Sequence, residues 1–124
     1  MATFEFFKCE KCGTPVIRTS GDKTPVCCGE PMTLLEAGTV DAAKEKHVPH
    51  VVRNGNHVEV QVGEVIHPMT EEHHIAFIAV VQGNKVQRVT LEHTGEPKAT
   101  FEVADGPIEV YEYCNLHGLW KAEA

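Results

Sequence analysis

The chain has 124 residues, an apolar content of 42% and a net charge of −7, values that fit one domain or two small ones. The negative charge argues against nonspecific nucleic-acid binding, which needs a cationic face for phosphates. No apolar run approaches the ~20 residues that span a bilayer, and residues 1–5 lack the features of a signal peptide. We therefore expect a soluble, cytoplasmic protein with no nucleic-acid or membrane partner.

Four of the five cysteines fall within residues 9–28, between segments with strand composition at 4–8 and 16–19. Clustered cysteines in a cytosolic chain favour a metal over disulfides. A unit of fewer than about 40 residues also needs a staple, because it cannot bury enough apolar surface alone. We predict a metal-stapled domain at residues 1–37. Its four thiolate ligands are Cys9, Cys12, Cys27 and Cys28, and tetrahedral thiolate suits zinc and iron equally.

Residues 38–124 have an all-β pattern after a connection that holds one expected helical turn at 41–44. Val58, Val60 and Val62 alternate with polar residues, which is typical of a half-buried strand. Asn54-Gly55 predicts a type I′ hairpin turn. The strands are expected at 48–53, 56–62, 75–81, 86–91, 99–103 and 108–113, with 75–81 as a central strand because it is almost entirely apolar. This pattern predicts an immunoglobulin-like β-sandwich.

The carboxyl-terminal segment holds a second candidate metal site. Cys114 and His117 lie three residues apart, so both side chains can reach one ion. His67 precedes a proline, which favours an extended loop that points the ring outward.

Other histidines compete for the remaining positions. Only one of His73 and His74 is expected to ligate, because successive strand residues face opposite sides. Spacing does not choose between these two, nor between His47 and His50. We expect His57 and His93 to be solvated.

Five motifs in order carry a resemblance to a known family. They are Cys9-x-x-Cys12 with Cys27-Cys28, Glu45-Lys46-His47-x-Pro49, His67-Pro68-Met69, His73, and Cys114-Asn115-Leu116-His117-Gly118. Together they resemble desulfoferrodoxin, a two-iron superoxide reductase. The resemblance covers nearly the whole chain.

The resemblance implies two non-haem iron centres. The first is a rubredoxin-type iron on four thiolates in a desulforedoxin-like domain. The second is a ferrous iron in the sandwich domain with four equatorial imidazoles and an axial thiolate. By motif position its ligands are His47, His67, His73, His117 and Cys114, which selects His47 over His50 and His73 over His74. A rubredoxin-like electron donor and a homodimer are also implied.

Five protein ligands leave one open position on an octahedral ion. The anionic thiolate increases electron density at that position, and the net positive charge there attracts a small anion such as superoxide. Lys46 is expected to add positive potential, and the resemblance implies that Glu45 closes the open position once iron is ferric. The alternative for each is a solvated surface charge. The competing classes are a two-centre electron carrier and a zinc-ribbon binding module with an immunoglobulin-like partner domain. A true dismutase is a variant of the superoxide-reducing class.

Overall fold

The computed structural model describes residues 4–38, 49–62, 69–70, 72–92, 95–115 and 118–124. The chain divides into two compact units, Met1–Glu36 and Ala37–Ala124. All regular structure in the described ranges is β-strand, which confirms the predicted all-β fold class. In these ranges there is no helix with the length and apolarity to cross a membrane.

The smaller unit is built on a three-stranded antiparallel sheet with strand order β2-β1-β5. Its strands are β1 (Glu5–Lys8), β2 (Pro15–Arg18) and β5 (Thr33–Leu35), beside a hairpin of β3 (Val26–Cys27) and β4 (Glu30–Pro31). Phe7 on the central strand packs with Cys9 and Met32 in the buried core. Because this core is so small, a metal staple contributes a large share of the stability of such a unit.

The larger unit is a sandwich of two antiparallel sheets, as predicted. The strands of the first sheet, in the order β10-β7-β6, are β6 (Pro49–Asn54), β7 (His57–Val62) and β10 (Lys98–Glu102). Those of the second, in the order β12-β11-β8-β9, are β8 (Ile75–Gln82), β9 (Lys85–Thr90), β11 (Glu109–Cys114) and β12 (Gly118–Glu123). Val58 and Val60 of the first sheet pack against Ile78, Val80 and Val110 of the second. The alternating valines therefore face the core.

Strand β8 is central in the four-stranded sheet, between β11 and β9. Phe77 and Ile78 are adjacent residues of β8 and point to opposite faces of the sheet. They are 1% and 0% exposed. On the face away from the sandwich core, the Phe77 ring stacks on Tyr113 at 5.8 Å between centroids. The Arg88 guanidinium lies 4.5 Å from the Phe77 ring centroid. Burial on both faces explains why this strand is apolar without alternation.

The pairing of β8 with β11 contains a bulge at the end where β11 finishes. Tyr113 pairs with Phe77 but Cys114 pairs with Ile75, so Ala76 is an extra residue in β8. Bulges re-aim side chains and often end a ladder next to a functional site. Here Ile75 and Cys114 both join the buried sandwich core.

The hairpin between β6 and β7 is confirmed, but its predicted turn type is wrong. Asn54 pairs with His57, which makes Gly55 and Asn56 the central residues. Gly55 has φ 62°, and Asn56 has no positive φ, the pattern of a type II′ turn. Glycine adopts positive φ without steric cost. With Gly55 at the first central position, Asn56 does not need a positive φ.

Four strands were not predicted: the short β3 and β4, β5, and β12. The predicted helical turn at 41–44 lies outside the described residues. Strand β12 pairs with β11 along its whole length, from Gly118 opposite Cys114 to Glu123 opposite Glu109. A sheet strand at Gly118–Glu123 therefore follows the candidate ligands Cys114 and His117 in sequence.

Candidate metal centres

Four thiols of the smaller unit converge on one point. The Sγ atoms of the predicted set all lie within 4.8 Å of one another: Cys9, Cys12, Cys27 and Cys28. The Cys12 and Cys27 sulfurs are 3.7 Å apart, and those of Cys27 and Cys28 are 3.9 Å apart. Four sulfurs at about 2.3 Å from a tetrahedral ion lie about 3.8 Å from each other. The cluster therefore fits one metal ion with four thiolate ligands.

Tight turns bring these sulfurs together. The Gly13 N–H donates to the Cys9 carbonyl at 2.8 Å, and the Cys12 N–H donates to the Cys9 sulfur at 3.5 Å. Gly13 has φ 77°, and Cys28 has φ 54°, the one positive φ among described non-glycine residues. Left-handed backbone at a cysteine is strained and persists where its surroundings require it. Ligation by adjacent Cys27 and Cys28 supplies such a requirement.

The protonation of the metal-free cluster is uneven. A hydrogen bond with the Thr14 hydroxyl lowers the pKa of Cys12 to about 6. Sharing hydrogen bonds with Cys9 raises the pKa of Cys27 to about 12, and the bond to Cys12 raises the pKa of Cys28. Of these three thiols, Cys12 ionises first, and Cys27 and Cys28 keep their protons to higher pH. A divalent cation stabilises the thiolate form of its ligands and displaces their protons.

Two predicted ligands of the second site are described, and each has a buried donor atom or side chain. Cys114 is 0% exposed at the end of β11, and the Nε2 atom of His73 is buried in the segment that leads into β8. The other predicted residues of this site lie outside the described ranges: Glu45, Lys46, His47, His67 and His117. An imidazole nitrogen and a thiol are donors that suit iron. The two described donors are thus compatible with the predicted centre.

Side chains hold the backbone around His73 at three successive N–H groups. The His73 N–H donates to Thr70 Oγ1 at 3.1 Å, that of His74 to Asn115 Oδ1 at 2.8 Å, and that of Ile75 to Met69 Sδ at 3.3 Å. The sequence motifs include Asn115 without a role, and Thr70 lies outside them. The available signal was an asparagine, a two-sided hydrogen-bonding residue, directly after the candidate ligand Cys114.

The competing histidines have other surroundings. The Nδ1 atom of His74 is 3.0 Å from the Thr70 carbonyl, and His50 is exposed on β6. His57 lies within β7, not in a turn, with its Nδ1 2.7 Å from a Glu102 carboxylate oxygen. Exposure agrees with the prediction for His57, but the ion pair was not foreseen. His93 lies outside the described residues.

Comparisons with known proteins agree with the motifs. The family model described as Desulfoferrodoxin matches residues 39–123, and that of the desulfoferrodoxin N-terminal domain matches residues 2–35. A desulfoferrodoxin of Syntrophotalea carbinolica is 48% identical over 120 residues, with 96% of this chain and 95% of the relative covered.

Solved structures of superoxide reductases are also similar to this chain. The superoxide reductase of Treponema pallidum has a TM-score of 0.81 at 34% identity and is matched over 98% of each chain. The one-iron superoxide reductase of Giardia intestinalis has a TM-score of 0.58 at 37% identity, covering 65% of this chain and 98% of that one. With two family models spanning nearly its whole length, this chain belongs to the desulfoferrodoxin family.

Proposed function

We propose that this protein is a superoxide reductase that reduces superoxide to hydrogen peroxide without releasing O₂. The observation that carries the proposal is that a buried thiol, Cys114, and a buried imidazole nitrogen, on His73, both lie at one end of the four-stranded sheet. The chain that holds them is similar over 98% of its length to a superoxide reductase. Buried thiol and imidazole donors next to a sheet bulge support a metal site built for chemistry.

The proposed catalytic centre takes five protein ligands: His47, His67, His73, Cys114 and His117. A ferrous ion bound there supplies one electron which, with two protons, converts superoxide to hydrogen peroxide. Five ligands leave one position for the substrate, and a dication with one thiolate keeps a net charge of +1. The charge of the site therefore attracts an anion even though the whole chain is negative.

Two charged residues beside His47 complete the proposed site. Lys46 adds positive potential at the open position, where it draws in superoxide. Glu45 would bind the open position of a ferric ion, because a hard carboxylate prefers that oxidation state. Both roles come from the family motif and the sequence position next to a ligand.

The four-thiolate centre of residues 1–37 is proposed to hold iron and to pass electrons. Its four sulfurs occupy all tetrahedral positions, so no substrate can bind to the ion. Cys12 and Cys28 are exposed, which gives a donor protein a short path to the centre. We propose a rubredoxin-like donor for this centre and a homodimeric enzyme, both implied by the family.

Residues 38–124 are proposed as the superoxide-reducing domain, and the cytoplasm as the place of action. None of the five cysteines forms a disulfide. Two of them are exposed thiols, which persist in a reducing compartment. The cytoplasm also holds soluble one-electron carriers for the four-thiolate centre.

The test is metal analysis and visible spectroscopy of the protein purified without oxygen, followed by pulsed addition of superoxide. We expect two iron ions per chain, and one peroxide with no O₂ for each superoxide consumed. Cys114→Ser and His73→Ala should each remove the second iron and the activity. Two zinc ions in a colourless protein would favour a zinc-ribbon module, and release of O₂ would favour a dismutase. Either result overturns the proposal.

A further inference from the structure

We propose that Asn115 is a positioning residue of the catalytic centre, and that its side-chain amide fixes the His73 ligand relative to Cys114. The inference rests on the proposed function, because it takes His73 and Cys114 as ligands of one ion. It concerns a residue outside the proposed ligand set, with both ends of its side-chain amide bonded to backbone. Asn115 acts through the backbone of the segment that carries His73.

Asn115 makes three hydrogen bonds to the segment before β8. Its backbone N–H donates to the His74 carbonyl at 3.1 Å. Its Oδ1 accepts from the His74 N–H at 2.8 Å, and its Nδ2 donates to the Glu72 carbonyl at 2.9 Å. Both ends of the amide are therefore used, one as acceptor and one as donor. The peptide units on both sides of His73 are bound to the residue that follows Cys114.

The other side of His73 is closed by Thr70. The Thr70 N–H donates to the His73 carbonyl at 2.9 Å, and Thr70 Oγ1 accepts from the His73 N–H at 3.1 Å. The backbone of His73 thus has both its polar groups engaged. These backbone anchors determine the region that the His73 ring can reach.

The bulge explains why a side chain is needed at this point. Regular pairing of β8 with β11 shifts between Tyr113 and Cys114, and the last paired residues are Ile75 and Cys114. Beyond them, the backbone bond from Asn115 to His74 is supplemented by the two amide bonds. The Asn115 side chain thereby continues the sheet pairing past the bulge as far as His73. Ligand positions within about 0.5 Å decide how well a site works, and residues that orient ligands typically change metal affinity by about 10–100-fold.

Gln82 at the opposite end of β8 provides a matched control. Its Oε1 accepts from the Ala104 N–H at 2.9 Å, and its Nε2 donates to the Ala104 carbonyl at 2.8 Å. As with Asn115, both the oxygen and the nitrogen of the side-chain amide are hydrogen-bonded to a neighbouring backbone segment. Gln82 follows the last core residues of the strand, seven positions after the bulge end of β8 at Ile75. Loss of either amide removes the same kind of bonds, but only Asn115 borders the candidate ligands.

The experiment compares Asn115→Ala, Asn115→Asp and Gln82→Ala as iron-loaded proteins. The readouts are the release rate of the second iron to a ferrous chelator and the visible and electron paramagnetic resonance spectra of its ferric form. We expect Asn115→Ala to release iron about 10–100-fold faster and to show an altered ferric spectrum. Asn115→Asp keeps the acceptor for His74 but loses the donor to Glu72, so it should be intermediate. Gln82→Ala should lower thermal stability and leave both readouts unchanged.

A wild-type spectrum and release rate in Asn115→Ala would overturn the inference, as would equal effects of Asn115→Ala and Gln82→Ala. If Asn115→Ala does not fold, Thr70→Val tests the same anchoring from the other side of His73, and an unchanged spectrum there counts against it. His73→Ala and Cys114→Ser are measured in the same assay. If those two keep the second iron, the proposed ligand set fails. If they lose it while Asn115→Ala is normal, only the role of Asn115 fails.

Discussion

Gly38 lies directly against the indole ring of Trp120. A Cβ atom built on Gly38 would be 2.6 Å from Trp120 Cζ3 and 2.7 Å from Cε3. The contact is held by backbone bonds on both sides of Trp120, from the Gly38 N–H to the Leu119 carbonyl at 2.9 Å and from the Lys121 N–H to the Gly38 carbonyl at 2.8 Å. Gly38 therefore forms a parallel bridge along the edge of β12 that only a residue without a side chain can make.

Gly38→Ala is expected to destabilise the larger unit by about 1–3 kcal/mol, the usual cost of overpacking. The added methyl group must displace either the indole ring or the bridging backbone. Thermal unfolding followed by Trp120 fluorescence measures the effect, since this is the one tryptophan of the chain. Gly95→Ala is the control, because its nearest contact would be an ordinary 3.5 Å to the Glu92 carbonyl. Equal stability of the two variants would contradict the close packing at Gly38.

Lys46→Ala is expected to lower the second-order rate constant for superoxide and to weaken its dependence on ionic strength. At physiological salt, charges are screened over about 8 Å, so a cation beside the open position outweighs the distant negative charge of the chain. Pulse radiolysis at several salt concentrations gives both quantities. Lys85→Ala, which changes the net charge equally from an exposed position on β9, should leave the rate nearly unchanged. The same rate in Lys46→Ala as in wild type would remove Lys46 from the site.

Glu45→Ala is expected to change the spectrum of the oxidised protein while sparing the rate with superoxide. The proposed carboxylate ligand binds only the ferric ion, whereas superoxide reacts with the ferrous form. Visible spectra after stoichiometric oxidation test the first part, and fast kinetics test the second. Glu92→Ala, an exposed acid of the larger unit, is the matched control. A normal ferric spectrum in Glu45→Ala would show that this carboxylate is not a ligand.

His57→Gln is expected to reduce thermal stability more at about pH 5.5 than at about pH 8.5. The hydrogen bond with Glu102 raises the pKa of His57 above its usual value near 6.5. A raised folded-state pKa means that the ion pair contributes fully below the unfolded pKa and is lost as the pH rises through the folded one. The effect should be small and shrink with salt, because the side chains are exposed. A Glu102→Gln variant should reproduce it, and a loss that grows with rising pH would contradict the assignment.

The sequence predicted those strands in which burial produces a clear pattern of apolar residues. Val58, Val60 and Val62 alternate because one face is buried, and the segment 75–81 is continuously apolar because both are. Strand β12 lacks such a pattern, since a glycine, a tryptophan and a lysine share it. Its pairing with β11 comes from tertiary contacts that no local rule encodes.

The four-thiolate cluster was predictable because its ligands are close in sequence and of one type. The role of Asn115 was not, since it depends on a one-residue bulge at Ala76 that brings His74 opposite Asn115. A register shift leaves no mark in composition or periodicity. The type II′ turn was also missed. Asn54-Gly55 and Gly55-Asn56 are both acceptable centres of a two-residue turn, and the sequence does not choose between them.

The contrast in exposure among the five cysteines predicts the order in which oxidative damage reaches them. Thiol oxidation to sulfenic and higher acids follows solvent access and thiolate character. Cys12 is exposed and has a pKa lowered to about 6, whereas Cys114 is 0% exposed within the sandwich core. A metal-depleted molecule would therefore lose the Cys12 sulfur to peroxide before that of Cys114. The Cys114 sulfur would survive longer, so that fresh iron could still bind at the proposed second centre after the exposed amino-terminal thiolate had been oxidised.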